Sequence, residues 1–196
     1  MVAYIFDRIL QQGASEAPAR AEAAKQWYRQ TAQRTAVNPE SLIRSDRERF
    51  RRTPSVGQMY MFRYDPKHKG VLPYYDRFPL VIPFEETRRA GRAQGDGFYG
   101  LNLHYLPLRL RARLMDALYN TVGTGGDQFQ ITYNILNRAS ELRFFKPCVK
   151  YYLFGHVKSQ FFYIDPKEWD IALFLPTERF AKASKARVHR ESIARI

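Results

Sequence analysis

The stretch from Val56 to Lys67, VGQMYMFRYDPK, alternates along its length and is rich in aromatic residues that favour β-strands. Two further runs of this kind follow, FPLVIPFEETR from Phe78 and GFYGLNLHYL from Gly97, and each is bounded by glycine or proline. We expect the three runs to pair as a small, strongly curved antiparallel sheet. Pro79 and Pro83 lack the N–H that a sheet ladder needs, so they belong at strand ends, edges or bulges.

The chain changes to a helical period after the third run. In PLRLRARLMDALYN, residues 107–120, leucines four residues apart predict one apolar face, while Arg109, Arg111 and Arg113 fan around the polar side. Residues 129–157, FQITYNILNRASELRFFKPCVKYYLFGHV, read as two more helices that separate near Pro147. SQFFYID, residues 159–165, then predicts a fourth strand that returns to the sheet. A helical insertion of about residues 107–157 therefore interrupts the predicted sheet.

The N-terminal part of the chain predicts a helical arm. Residues 15–36, SEAPARAEAAKQWYRQTAQRTA, consist mostly of strong helix formers, and Trp27 and Tyr28 are the only large residues among them. A helix with so little to bury is stable only when it lies on another part of the protein. Residues 41–54, SLIRSDRERFRRTP, predict a second short helix that ends before the proline.

The C-terminal part carries helix start signals. Asp165 suits an N-cap with Pro166 in the first turn, and a final helix is expected after Pro176. Together these patterns predict an α+β protein built on a small curved antiparallel β-barrel of the SH3-like kind, with a helical insertion and helical extensions at both ends. The predicted division is a helical N-terminal arm over 1–53, a barrel core with its insertion over 54–175, and a basic C-terminal helix over 176–196.

The composition is strongly basic. The chain has 196 residues, and 32 Lys and Arg against 19 Asp and Glu give a formal net charge of +13. Such a charge favours polyanionic partners, nucleic acid or acidic protein surfaces, although it also serves solubility alone. The single cysteine, Cys148, excludes an intramolecular disulfide and fits a core position in a reducing compartment.

Targeting signals are not apparent in the sequence. VAYIFDRIL after Met1 has neither the early positive cluster nor the apolar length of a signal peptide, and no run approaches the roughly 20 apolar residues of a membrane span. We therefore expect a protein that folds in the cytoplasm and has no membrane partner.

The residues that carry catalysis do not occur in useful patterns. The four histidines have neither the helical spacing nor the cysteine pair of a metal site, and His104 is expected to be half-buried and bonded to backbone. The carboxylates that a magnesium nuclease would need each have Lys or Arg within a few residues of the sequence, which is typical of ion pairs at turns. These histidines and carboxylates are His68, His104, His156 and His189, and Asp65, Asp76, Glu85, Glu86 and Asp96. We expect no catalysis, no metal or cofactor and no small-molecule substrate.

The loop between the first two runs offers a candidate binding site. Lys67, Lys69 and Arg77 suit contacts with phosphates, and Tyr74 and Tyr75 suit stacking on bases, a combination that single-strand binders use. In the alternative interpretation the tyrosines pack the rim of the barrel and their hydroxyls bond to backbone.

Two arginine groups are further candidates for contact with nucleic acid or with a protein partner. Arg47, Arg51 and Arg52 belong to the dense run before Pro54, and Arg109 and Arg113 lie on the predicted helix after residue 107. The alternative is that each group is simply a solvated face.

Four long phrases carry a resemblance to a known group of proteins. They are GQMYMFRYDPKHKGVLPYYDRFPLVIPF (57–84), GFYGLNLHYLPLRLRARLMDALYN (97–120), FFKPCVKYYLFGHVKSQFF (144–162) and EWDIALFLPTERFAKASK (168–185). In these phrases the chain resembles virion-associated proteins of the large contractile-tailed phages of the T4 type, a group described as DNA end protectors. The resemblance covers roughly residues 20 to 187.

The resemblance implies a structural protein of the virion, present in few copies at the end of the packaged genome near the portal or neck. There it keeps host exonuclease from the free DNA end. This role is steric, so no catalytic residues are carried over. The implied partners are genomic DNA ends and other virion subunits. The alternative is an adaptor of the tail, neck or baseplate that docks neighbouring subunits without binding DNA.

Overall fold

The computed structural model of the protein describes residues 5–14, 22–87, 96–122 and 145–196. The helices are α1 (Ile5–Ala14), α2 (Glu22–Arg34), α3 (Pro39–Leu42), α4 (Leu108–Val122), α5 (Trp169–Phe174) and α6 (Lys185–Ile193). The strands are β1 (Phe50–Arg51), β2 (Met59–Met61), β3 (Tyr75–Asp76), β4 (Leu80–Thr87), β5 (Gly97–Asn102), β6 (Val149–Leu153), β7 (Phe161–Ile164) and β8 (Phe180–Ala181). The mixture of helices with antiparallel sheets confirms the predicted α+β class.

Six strands form the main sheet in the order β1-β7-β2-β4-β5-β6, and β3 pairs with β8 in a separate two-stranded sheet. The three runs predicted as strands contain β2, β4 and β5, which are consecutive neighbours in the main sheet. The predicted fourth strand is β7, which pairs with β2. A register shift between Pro83 and Glu85 interrupts the β4–β5 pairing, as expected for a proline inside a strand.

Alternate residues of β2 bury against different sets of side chains. Met59 and Met61 belong to the main core, where the sheet packs against the helices, whereas Tyr60 and Phe62 belong to an aromatic cluster on the opposite face. The helices contribute fully buried side chains to the main core, among them Trp169, whose Nε1 donates a hydrogen bond to the carbonyl oxygen of Ile164 at 3.0 Å. Both faces of this sheet are therefore apolar.

The main sheet curls but does not close. Three strand spacings separate β2 from β6, which in a flat sheet amounts to about 14 Å. The ring centroids of Phe62 and Tyr152 nevertheless lie only 5.3 Å apart. The predicted curvature is thus present, but the predicted SH3-like barrel is not confirmed, because within the part of the chain that the structure describes β1 and β6 end the sheet unpaired with each other. The helices cover one face, so the sheet buries its apolar side chains without closing on itself.

The last part of the predicted helical insertion contains a strand. Residues 149–153 form β6 and pair with β5 in a register that runs from Gly97 opposite Leu153 to Leu101 opposite Val149. A short aromatic run such as VKYYL fits either a helix or a strand, and here the open edge of β5 supplies hydrogen-bond partners that favour the strand. The helix predicted from residue 107 is α4, and the prediction over 129–144 lies outside the described residues.

The N-terminal helices lie on the core, as a helix with few apolar residues requires. In α2, Tyr28 and Ala32 are buried, and Arg29 bonds to the carboxylates of Asp170 and Asp116 at 3.0 Å each. The sequence did not predict α1 as a separate helix, although Phe6 is buried in the main core.

The second short helix predicted for 41–54 is wrong in extent. The segment instead divides into α3, a 3-10 turn at Arg47–Arg49 and the two-residue strand β1. Asn38 caps α3 by accepting a hydrogen bond from the Glu40 N–H, and Asp46 caps the 3-10 turn by accepting one from the Glu48 N–H. Asp46 therefore begins a new helical turn within the segment, and one continuous helix does not form.

The helix start at Asp165 is confirmed. Its carboxylate accepts a hydrogen bond from the Lys167 N–H, while the Glu168 carboxylate accepts one from the Asp165 N–H, which completes a capping box ahead of α5. The final helix begins later than predicted. Residues 176–184 contain β8, and the Ser184 hydroxyl caps α6 by accepting from the Arg187 N–H.

Candidate nucleic-acid interface

The loop from Asp65 to Pro73 is fixed from two sides. The Asp65 carboxylate accepts hydrogen bonds from the Lys69 Nζ at 2.9 and 3.0 Å, and this contact holds the pKa of Asp65 below its ordinary value. Lys182 Nζ donates to the carbonyl oxygens of Lys69, of Gly70 at 2.9 Å and of Leu72 at 3.1 Å. The loop therefore presents the exposed side chains of Lys67 and Lys69 from a fixed backbone.

Tyr74 and Tyr75 have different environments, as neighbours in an extended segment do. Tyr74 is buried, with its ring centroid 6.0 Å from that of Tyr105 and 6.4 Å from that of Phe180, and its hydroxyl bonds to Glu191. Tyr75 is only half-buried. Of the two predicted stacking residues, Tyr75 is the more accessible.

Three segments that are distant in sequence bring basic side chains together beside this loop. The Lys158 N–H donates to the carbonyl of Arg63 at 2.8 Å, and the Tyr64 N–H donates to the carbonyl of Arg77 at 3.0 Å. Arg63, Arg77 and Lys158 therefore come from adjacent stretches of backbone. They line a hollow of about 520 Å³, which we call the basic groove, whose walls are Glu40, Arg63, Tyr64, Asp65, Lys69, Tyr75, Arg77, Phe78 and Lys158.

The basic groove has an excess of positive charge. It contains four basic side chains and two carboxylates. Lys69 pairs with Asp65, and Arg63 lies 3.6 Å from the carboxylate of Glu40. Arg77 and Lys158 make no ion pair within the described ranges. Two cations are thus available to an anion that enters the groove.

Arg51 and Arg52 lie at the same end of the main sheet as this groove. In the β1–β7 pairing Arg51 lies opposite Phe161, and in the β2–β7 pairing Met61 lies opposite Phe162. When both registers are continued along the chain, Arg52 and Arg63 lie on either side of residue 160. Arg51 donates to the carbonyl oxygens of Glu48 and Phe50, and its guanidinium lies 5.3 Å from the centroid of the Tyr163 ring. Arg47 and Arg52 are exposed.

The arginines of α4 divide into exposed and buried members. Arg109 and Arg113 are exposed and do not line the basic groove. Arg111 does not join them on the polar side, contrary to prediction, because it is fully buried. Its guanidinium pairs with the carboxylate of Glu178 and donates to the carbonyl oxygens of Leu106 at 2.7 Å and Leu173 at 3.0 Å.

This buried pair strongly shifts the acidity of Glu178. Burial disfavours its charged form, but the attraction of Arg111, His104 and Lys185 outweighs burial and lowers the pKa of Glu178 to about 2. Arg111 is therefore committed to the core and is not available to a ligand.

His104 belongs to a fully buried polar network that the sequence did not predict. Its Nδ1 lies 2.7 Å from Asp76 Oδ2 and its Nε2 lies 3.0 Å from Thr177 Oγ1. The expectation of a half-buried histidine bonded to backbone was wrong in both respects, although the carbonyl of His104 does bond to His189 at 3.0 Å. Asp76 is also buried, so it is not placed to hold a metal against a solvent-borne phosphate.

The structure also locates the cysteine and bears on metal clusters and membrane spans. Cys148 is fully buried, as predicted, and burial raises the pKa of its thiol to about 12. Among the described residues there is no group of three or more His, Cys, Asp or Glu side chains arranged to hold a metal ion. None of the helices described is both long enough and apolar enough to cross a membrane.

The comparison with family models gives a match over nearly the whole chain. The model is that of the phage T4 terminal DNA protecting protein, and it matches residues 2–193. The chain belongs to this family. Membership confirms the resemblance found in the sequence and identifies a bacteriophage protein of a DNA end-protecting family. Neither the curated proteins nor the solved structures gave a significant match.

The sequence prediction named some of the residues that line the candidate groove and missed others. The structure places Lys69, Tyr75 and Arg77 in one groove, with Lys67 on the adjoining loop, whereas Arg109 and Arg113 lie elsewhere on the surface. Arg63 and Lys158 were not predicted. The available signal was that each is a basic residue flanking a strand, but only the pairing of β2 with β7 shows that they meet.

Proposed function

We propose that the chain caps the end of linear duplex DNA by holding its phosphates in the basic groove and along the adjoining basic end of the main sheet. The observation that carries this proposal is the convergence of Arg63, Arg77 and Lys158, because two of these cations make no ion pair within the described part of the chain. Phosphates are the anions that a surface of this charge attracts without regard to base sequence.

The protection is steric. A protein that covers the last phosphates and the terminal base pair leaves an exonuclease no free end, and no bond needs to be broken. The surplus charge of the whole chain, +13, favours the approach of DNA from a distance. The resemblance further supports a place in the virion near the portal or neck, in contact with other virion subunits.

The test compares blunt linear duplex with closed circular DNA of the same sequence over a series of salt concentrations. We expect preference for the linear form, with affinity that falls as salt rises. A matched assay measures the protection of the linear duplex from an added exonuclease. Equal affinity for both forms contradicts end capping, and no binding at moderate salt supports the tail, neck or baseplate adaptor instead.

Charge removal locates the interface. The triple variant Arg63→Gln, Arg77→Gln, Lys158→Gln should bind DNA about 10- to 100-fold more weakly and reduce the salt slope by about three, since each phosphate contact contributes about 0.9. The control variant Arg109→Gln, Arg113→Gln, Lys167→Gln removes the same charge from exposed positions outside the groove. If both variants lose the same affinity, the effect is one of net charge and the groove is not the site.

A further inference from the structure

A second hollow adjoins the basic groove. It has a volume of about 400 Å³ and shares Tyr64 and Tyr75 with the groove, so these two residues form the wall between them. We call it the tyrosine pocket, because six tyrosines line it. Its lining consists of Tyr64, Pro66, Leu72, Pro73, Tyr74, Tyr75, Asp76, Tyr105, Val149, Lys150, Tyr151, Tyr152 and Arg195.

The tyrosine rings are held in place from outside the pocket. The Tyr152 hydroxyl accepts a hydrogen bond from Asn102 Nδ2 at 3.0 Å, and the Tyr64 hydroxyl accepts one from the Leu153 N–H at 3.2 Å. The Tyr151 hydroxyl lies 2.9 Å from Thr87 Oγ1. Because these rings are already fixed, a planar ligand would enter a preformed site and lose little free energy in ordering it.

Two polar groups of the pocket have no partner suited to them within the described residues. Lys150 Nζ lies 4.1 Å from the centroid of the Tyr105 ring, and it has neither a hydrogen bond nor an ion pair there. Burial lowers the pKa of Lys150 to about 8, since the ammonium is desolvated without an anion beside it. The Tyr105 hydroxyl also lacks a hydrogen-bond partner in this part of the chain.

The carboxylate in the lining is already engaged. Asp76 Oδ1 accepts a hydrogen bond from the Phe78 N–H at 3.1 Å, and Oδ2 is shared between Asn102 and His104. Arg195 adds a second cation at an exposed position. The pocket therefore combines ring faces with two cations and has no free carboxylate among the residues described.

We propose that the tyrosine pocket receives the terminal nucleotide of a DNA strand, with its base against the tyrosine rings and its phosphate at Lys150 and Arg195. A simple anion would leave the rings unused, and an apolar ligand would leave Lys150 without a counter-ion. A nucleotide satisfies both, and the volume lies within the range of small-ligand sites, roughly 300–1,000 Å³. The inference rests on the proposed function and extends it.

The shared wall explains how ends are distinguished from interior DNA. A duplex whose phosphates lie in the basic groove has its last nucleotide near Tyr64 and Tyr75, and this nucleotide is the one that leaves the stack most readily. Closed circular DNA offers phosphates to the groove but no terminal nucleotide to the pocket. The groove thus contributes general affinity, and the pocket contributes preference for ends.

The test uses duplexes that carry the fluorescent base 2-aminopurine at the terminal position or at an internal one. With the wild-type protein, we expect a change of fluorescence for the terminal label only. The variant Lys150→Met keeps the aliphatic stem but removes the charge, and it should reduce the preference for linear over circular DNA about tenfold while affinity for circular DNA is kept. Lys167→Met, an exposed lysine outside the pocket, is the matched control and should behave as wild type.

A second variant guards against misfolding. Tyr105→Phe keeps the ring and removes only the hydroxyl without a partner, so thermal unfolding should be nearly unchanged while preference for ends falls about two- to threefold, the effect of one weak hydrogen bond. Wild-type behaviour of both Lys150→Met and Tyr105→Phe overturns the pocket assignment, and so does a silent terminal label.

The outcomes separate the two proposals. If the wild-type protein shows no preference for ends, the proposed function fails. If preference for ends persists but the terminal label is silent, the function stands and the pocket proposal fails. Competition by a free deoxynucleoside 5′-monophosphate is the last arm. If it binds as tightly as a DNA end of the same base, the pocket is a mononucleotide site, which also contradicts the proposal.

Discussion

The cations that pair with carboxylates at the helical core and the exposed cations of the basic groove have opposite roles. Arg111 pairs with Glu178 inside the core, and Arg29 pairs with Asp170. Arg77 and Lys158 face a groove and make no ion pair within the described ranges. A net charge of +13 therefore does not indicate how many cations can meet a ligand. The number of available cations depends on how many already form ion pairs with carboxylates from distant segments of the chain.

Removing the buried Arg111 tests the difference between the two groups of cations most strongly. Arg111→Met should destabilise the protein by about 3–5 kcal/mol, because it leaves the buried Glu178 carboxylate with only the exposed Lys185, 3.9 Å away, as a cation. Urea unfolding measures the loss. Adding Glu178→Gln to Arg111→Met should recover a large part of it, since no isolated charge then remains in the core. A double variant as unstable as the single one would show that packing, not charge, dominates.

Acid should reproduce part of this loss in the wild-type protein. The pKa of Glu178 is lowered from an ordinary 4.5 to about 2, so its contribution to stability is present above pH 4.5 and is lost as pH falls toward 2. We expect a loss of about 3 kcal/mol from this one group. Unfolding measured at several pH values tests this, and Glu178→Gln should show a shallower decline over that window. An equal slope in both proteins would contradict the assignment.

The loop anchor should give a smaller and more local effect. Lys182→Met removes the donor to the carbonyls of Lys69, Gly70 and Leu72, at a cost of about 1 kcal/mol in global stability. Hydrogen exchange should rise in the loop and DNA affinity should fall a few-fold, because Lys67 and Lys69 lose their fixed backbone. Lys167→Met, an exposed lysine away from the loop, is the control. Unchanged exchange would show that the loop holds itself in place.

The groove variant should have the smallest effect on stability. Arg63→Gln, Arg77→Gln, Lys158→Gln removes three charges, as many as any variant here, yet we expect a total change within about 0.5 kcal/mol because exposed cations contribute little to folding. Thermal unfolding checks this. A large destabilisation would mean that these three cations stabilise the fold, and it would contradict their assignment as cations available to a ligand.

Local signals in the sequence predicted the elements that depend on neighbouring residues. The alternation around Met59 and the proline-punctuated run at Leu80 predicted adjacent strands, and Asp165 predicted a helix start that the capping box confirms. Each of these depends on contacts within a few residues or on a strong side-chain period.

The failures depend on partners that are distant in sequence. Residues 149–153 form β6 because the edge of β5 supplies hydrogen-bond partners for a strand. Arg111 lies in the core and not on the polar side of its helix because it pairs there with Glu178. The barrel is not confirmed among the described residues, where helices cover one face of the sheet and the sheet does not close. No local pattern contains that information.

The candidate site follows the same rule. Lys69, Tyr75 and Arg77 lie close together in the sequence and could be predicted as one group, whereas Arg63 and Lys158 are joined only by the pairing of β2 with β7. The tyrosine pocket was even less accessible to prediction, because Lys150 belongs to the strand that was taken for a helix.

The capping box at Asp165 has a consequence for how the molecule can be shortened. Glu168, which completes the capping box, also accepts a hydrogen bond at its Oε1 from the Arg49 Nη2 at 2.9 Å. Asp170, two residues later, accepts hydrogen bonds from Arg29. Trimming the chain at residue 53 would strip two acidic groups of their counter-ions at the first turn of α5. A fragment that begins after this point should be recovered as an aggregate, and a protease should release the N-terminal segment only after the whole protein has opened.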